Sequence, residues 1–276
     1  MQITDCHVHI FPEKIAHAAV EATGKFYSNL DLETPPSLEA MTRHAGTAEE
    51  LLRIGTEAGI SRFLVFSTAT AARQVESVNN FIAGQCDAHP EFIGAGTMHI
   101  DYENFEAEVD RMRALGLRGI KLHPDIQQFA IDDPRIMPLY EILSDRRMFL
   151  IAHTGDYRYD FSGPKRTEHV ARAFPNMKFI CAHFGGWGEW AEARDRLAGI
   201  ENVYVDTSST YGFVGPDSMR EGFRVFDPTH IFFGSDYPMW TPGTELESIR
   251  NLGLPDRVLE GVLGQNFQAF LSELDS

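Results

Sequence analysis

Two histidines stand one residue apart near the start of the chain, in the stretch TDCHVHI at residues 4–10. In an extended strand alternate side chains share a face. His7 and His9 would then point one way with Asp5 below them, and Cys6 and Val8 the other way. Two imidazoles on one strand face can converge on a metal ion, but a lone H-x-H is a weak signal and the remaining donors must come from elsewhere. The chain supplies candidates at intervals: His99 closes FIGAGTMH, Lys121 and His123 close RGIKLH, His153 closes FLIAH, His183 closes FICAH, and Asp236 follows FFGS.

Each of these groups ends a short apolar run bounded by Gly, Pro or polar residues, which predicts strands over 2–9, 62–67, 92–99, 118–123, 148–153, 177–183, 202–207 and 230–236. Amphipathic segments between them predict helices over 47–59, 72–89, 104–116, 133–147, 164–175, 190–199, 216–226 and 244–253. Thr47 and Glu50 have capping-box spacing at the first of these. A last helical segment, 255–274, is expected to pack outside the barrel. Eight strands alternating with helices pair in parallel through right-handed crossovers, and the closed solution is a (β/α)8 TIM-type barrel. The 276 residues are expected to form one barrel domain over 1–276, distorted by an insertion after the first strand, residues 24–46, lying over the barrel mouth. In such barrels the site lies at the C-terminal ends of the strands. Seven of the eight predicted strand ends carry an ionisable group, and six of the 11 histidines are there. Buried ionisable groups are costly unless paired or metal-bound, so a chance cluster at one rim is a poor explanation.

On DCHVHIFP, GIKLHP, IAHTG, CAHFGG and FGSDYP, in this order from residue 5 to residue 238, the chain resembles the amidohydrolase superfamily. The similarity is to its amidohydrolase-related branch, which holds lactonases, hydratases and decarboxylases like aminocarboxymuconate-semialdehyde decarboxylase. The resemblance implies that His7, His9, His153 and Asp236 bind one divalent ion per chain, zinc in the first place and manganese in the second. It also implies that Asp236 takes a proton from the water on that ion and that His183 polarises water or substrate. Such an ion lowers the pKa of its water to about 7. Asp5 is the candidate for orienting an imidazole; the alternative is a buried strand carboxylate with a local partner. Binuclear members carry a carbamate on a lysine of the fourth strand. For Lys121 a substrate contact or electrostatic support is the favoured reading.

His123 and His99 are further candidates for substrate contact. Arg158, between two tyrosines in DYRYD, suits a carboxylate because a guanidinium binds one bidentately. Trp187, Trp190 and Trp240 could wall the site or pack in the core. The expected activity is metal-dependent hydrolysis of a C–N or C–O bond in a small carbonyl compound, an amide or a lactone. The alternative is non-oxidative decarboxylation of an aromatic or unsaturated carboxylic acid. Some decarboxylases of this branch replace the first histidine of the pair with glutamate, so the intact pair here leans toward hydrolysis.

Composition narrows the partners. A net charge of −16 repels phosphate backbones and argues against nucleic-acid binding, while an anionic small substrate remains compatible with a locally basic site. The three cysteines are widely spaced and lack a CxxC pattern, so a reducing, cytoplasmic compartment is expected. No apolar run of about 18 residues suggests a membrane span, and the start has no leader-like pattern. Base rates favour a homo-oligomer, a dimer first.

Overall fold

The computed structural model describes residues 2–27, 39 and 42–276. Eight strands form one parallel sheet in sequential order: β1 Thr4–His9, β2 Arg62–Phe66, β3 Phe92–Thr97, β4 Gly119–Leu122, β5 Phe149–Ala152, β6 Phe179–Cys181, β7 Val203–Asp206 and β8 Ile231–Phe232. The sheet closes on itself where Cys6 N donates to Phe233 O (2.7 Å), His9 N to Tyr237 O (2.8 Å) and Asp236 N to His7 O (2.9 Å). This is the expected TIM-type barrel.

Strand residues divide between two apolar clusters. Leu64, Phe66, Ile93, Ala95, Phe149, Ile151, Ile180, Tyr204 and Phe232 fill the barrel interior. Phe63, Val65, Ile120, Leu122, Leu150, Ala152 and Val205 face the surrounding helices. The interior parity continues past the apolar layer to Lys121 and His123, His153, Asp206 and Asp236, which carries ionisable groups to the rim on the inner face.

The first strand departs from simple alternation. Thr4 and Asp5 pair with Arg62 and Phe63, and Val8 and His9 with Val65 and Phe66, so two residues, Cys6 and His7, stand opposite Leu64 alone. This β-bulge flips the face of everything before it. Cys6 therefore joins the interior cluster beside His7 and His9, and Asp5 aligns with outward-facing Phe63. The expectation that Asp5 lies below the two histidines is corrected by one extra residue in the strand.

Two helical expectations also change. Glu13–Tyr27 is a helix that buries Ala16, Val20 and Gly24, so residues 24–27 of the expected loop are its last turn. Much of the rest of the 24–46 insertion lies outside the described residues. The helix Asn266–Asp275 does not join the outer ring. Its Phe267 and Phe270 pack on Phe232 at 5.3 Å between centroids, and Phe270 on Phe149 at 5.5 Å. It closes the barrel floor, opposite the rim. Thr47 Oγ accepts from Glu50 N (3.3 Å) as the capping pattern predicts, but the Glu50 carboxylate turns to Ala45 N (2.5 Å) and Tyr237 OH (3.1 Å) instead of returning to the cap.

Candidate metal centre

The rim backbone is unusually strained. Asp156, His183, Phe184, Ser209 and Asp236 all have positive φ, and each follows one of the last four strands. Such non-glycine residues persist only where surrounding contacts hold them, and they gather at functional sites. Two glycines permit close approaches here. A Cβ on Gly234 would lie 2.8 Å from the His7 Cβ, and one on Gly155 (φ +77°) would lie 2.5 Å from Trp187 N.

His7 Nε2 and His9 Nε2 lie 3.3 and 3.4 Å from Asp236 Oδ1. Donors about 2.0–2.2 Å from a tetrahedral ion are separated by about 3.4 Å, so these three atoms sit as ligands of one divalent ion would. His7, His183 and Asp206 also converge, but their polar atoms are already spent on one another. Asp206 Oδ2 accepts from His7 Nδ1 (2.8 Å), and Oδ1 accepts from His183 N (3.1 Å), Ser208 N (3.1 Å) and the Ser208 hydroxyl. Asp206, not Asp5, orients the imidazole. Asp5 Oδ1 accepts from His7 N (3.2 Å) and Ser235 N (2.9 Å), both main-chain groups. The signal for Asp206 was its position at the end of β7 with interior parity.

Hydrogen bonding fixes the tautomers. His7 donates from Nδ1 to Asp206, leaving a lone pair on Nε2. His183 Nδ1 lies 3.0 Å from the Ser208 carbonyl and donates to it, so His183 Nε2 accepts from His153 Nδ1 at 3.0 Å. His153 then carries its lone pair on Nε2, a buried atom with no partner among the described residues. A buried nitrogen with a free lone pair is costly unless a ligand meets it, and a divalent ion is such a ligand. His153 is nonetheless not in the tight group formed by His7, His9 and Asp236.

Electrostatics agree with neutral rings and ionised acids. Burial, then Lys121, push His7 down to about 3. Burial, then His123 and His183, push His153 well below the ordinary imidazole value. Burial alone would raise Asp236, but the His7 and His9 rings hold it well below the carboxylate range. Lys121 is fully buried, with Nζ 3.1 Å from His7 Nε2 and 4.9 Å from the Phe66 ring centroid. Burial lowers it to about 8.

A cavity of about 670 Å³ opens above these groups. His7, His9, Lys121, His123, His153, His183 and Asp236 line it from the strand ends. Phe11, Ile15, Val20, Phe26, Val78 and Phe81 are among its apolar walls. The structure does not bring His99 or Arg158 to this cavity's described lining. His99 Nδ1 accepts from Asp101 N (3.2 Å). Arg158 forms a two-bond ion pair with fully buried Asp156 (2.8 and 2.7 Å) and donates to Phe26 O (2.7 Å). None of the three tryptophans is in the described lining. Trp190 Nε1 donates to His183 O (3.0 Å), and Trp240 Nε1 to Ser209 Oγ (2.7 Å), whose hydroxyl in turn donates to Asp236.

The family model described as Amidohydrolase matches residues 4–271. The chain belongs to this family. No curated protein matches the chain. Among solved structures it is similar to 5-carboxyvanillate decarboxylase from Novosphingobium aromaticivorans complexed with manganese and 4-hydroxy-3-methoxy-5-nitrobenzoic acid (15% identity, TM-score 0.74, covering 98% of this chain and 96% of that one). It is also similar to an uncharacterised TIM-barrel protein from Bordetella bronchiseptica (20% identity, TM-score 0.73, 100% of each chain). A third is 5-carboxyvanillate decarboxylase from Sphingomonas paucimobilis (16% identity, TM-score 0.72, 98% and 99%). At such identities the likeness speaks for the fold.

Proposed function

We propose that this amidohydrolase is a metal-dependent, non-oxidative decarboxylase of a small aromatic or unsaturated carboxylic acid. The observation that carries the reading is the division of the cavity. Its strand-end side holds seven ionisable groups, and its remaining walls combine apolar residues with Lys14, Tyr27 and a few hydroxyl and amide side chains. Lys121 and Lys14 are the only lysines or arginines among the described lining residues, and Asp236 the only carboxylate. A ligand with one anionic end and a flat apolar body complements this arrangement. Two of the solved structures it resembles are decarboxylases of such acids.

His7, His9, His153 and Asp236 are the residues that would hold the ion, which when bound supplies an electrophilic anchor for substrate oxygens. Decarboxylation breaks the bond to the carboxylate carbon, releases carbon dioxide and leaves an electron pair on the former neighbour, which takes a proton. Asp236, which rests ionised, would take a proton from water or a substrate hydroxyl and pass it to that carbon, and the Ser209 hydroxyl, itself held by Trp240, steadies its second oxygen. Lys121, whose burial favours pairing with an anion, draws the acid end toward the strand ends. His183 is locked by Ser208 with a nitrogen toward His153 and keeps that ring in place.

The intact His7/His9 pair, together with an ionised Asp236 able to act as a base toward water, favours hydrolysis of a lactone or amide as the second reading. One assay separates the two. Protein loaded with manganese or zinc is given a panel of hydroxybenzoates, lactones and amides, with carbon dioxide and titratable acid followed in parallel. Carbon dioxide from an aromatic acid supports decarboxylation; acid release from a lactone, or amine release from an amide, without it sinks that reading.

A further inference from the structure

The last residue of the Glu13–Tyr27 helix reaches the strand-end groups: Tyr27 lines the cavity, and its hydroxyl lies 2.8 Å from His123 Nε2. The direction of this bond follows from the other side of the ring. His123 Nδ1 accepts from Ile126 N (3.3 Å). With Nδ1 an acceptor, the ring proton is on Nε2 and is donated to the Tyr27 oxygen. The phenol must then give its own proton to another acceptor, and among the described residues none is in place.

The position is held from outside. Arg158 donates to Phe26 O (2.7 Å), and its guanidinium lies 4.8 to 5.8 Å from the rings of Phe26, Tyr27, Tyr159 and Trp187. Its ion pair with Asp156 ties this helix end to the loop after β5. The Tyr27 ring packs edge-on against Trp187 at 5.3 Å. A hydroxyl donor that is oriented and has no acceptor among the described residues, at the wall of the cavity beside the strand-end groups, is built for a ligand oxygen.

We propose that the Tyr27 hydroxyl is a substrate-binding donor that takes an oxygen of the substrate's carboxylate, with Arg158 as the residue that positions it. This rests on the reading of the substrate as an aromatic or unsaturated acid. The test uses manganese-loaded protein and two probes, salicylate and methyl salicylate, which differ in the anionic carboxylate. Tyr27→Phe removes the hydroxyl and leaves the ring, and its fold is checked by thermal unfolding. The expected result is salicylate binding weakened about 10- to 100-fold, as for a lost bond to a charged acceptor, with methyl salicylate changed far less. Where a hydroxybenzoate is turned over, KM rises with kcat little changed, since this bond forms already in the ground state. Unchanged salicylate affinity overturns the proposal and leaves the decarboxylase reading standing. Equal weakening of both probes also overturns it, by assigning Tyr27 a packing role. Failure of the unmodified protein to bind salicylate or any other hydroxybenzoate refutes the substrate reading and the proposal together.

Discussion

Replacing Asp206 by asparagine tests the reasoning about the metal centre at its least obvious point. Four donors converge on this carboxylate: the His7 ring N–H, the main-chain N–H groups of His183 and Ser208, and the Ser208 hydroxyl. Asparagine keeps one carbonyl oxygen and places an NH2 where the other oxygen was. If its oxygen serves the main-chain donors, the NH2 faces His7 Nδ1, which must then accept. The His7 proton moves to Nε2, the atom 3.3 Å from Asp236 Oδ1, and the lone pair needed for a metal is lost. If the side chain is flipped, two buried main-chain donors lose their acceptor at about 1–3 kcal/mol each. Either arrangement should weaken metal binding about 10- to 100-fold, the usual cost of losing a group that orients a ligating histidine. Competition against a chromophoric chelator measures this, and urea unfolding of the metal-free protein separates it from loss of fold. Asp5→Asn is the matched control: Asp5 accepts from the main-chain N–H groups of His7 and Ser235 and does not bond the His7 ring, so affinity should change by less than about threefold. A folded Asp206→Asn protein with unchanged affinity, or a larger loss in Asp5→Asn, would refute the tautomer argument.

Asp236→Asn should fold, because asparagine tolerates the left-handed backbone at φ 62°, and turnover on whichever substrate the panel identifies should fall about 10²–10⁴-fold; near-normal turnover removes Asp236 from the proton-moving role. The double change His7→Ala and His9→Ala should take metal content from one ion per chain to none by elemental mass spectrometry, and retained metal would move the centre elsewhere. Burial, then Asp236 and Asp5, raise Glu245 from 4.5 to about 8. Below the unfolded value both states are protonated and nothing is lost. As pH rises the unfolded chain ionises first, so stability falls between roughly 4.5 and 8, by about 3 kcal/mol at pH 7. Glu245→Gln should therefore match the unmodified protein near pH 4.5 and exceed its stability increasingly toward pH 7 in urea titrations; a difference independent of pH would show that Glu245 is already ionised in the fold.

The eight strands were legible because covered parallel strands are short apolar runs, and seven of the eight carried an ionisable residue at the end. Rim groups on interior parity were legible for the same reason: once Phe149 and Ile151 face inward, His153 must too. Period-two reasoning fails where the chain inserts a residue. The bulge at Cys6 and His7 left His7 and His9 on the interior face but sent Asp5 outward, and its expected partner role fell to Asp206, 199 positions beyond His7. No pattern local to TDCHVHI announces the bulge; it is visible only in pairing with β2.

The helix at Glu13–Tyr27 had a readable signal, since Ala16, Val20 and Gly24 recur every four residues, but its small residues give a shallow apolar stripe. Arg158 shows a different limit. Its side chain suited a carboxylate, as expected, and it found one inside the fold. A buried carboxylate such as Asp156 demands a partner at once, whereas a substrate is present only part of the time. The same cation then acts on the cavity at one remove, by fixing the helix end that carries Tyr27. Sequence chemistry thus identified what Arg158 binds, and only the three-dimensional arrangement could say whose carboxylate it is.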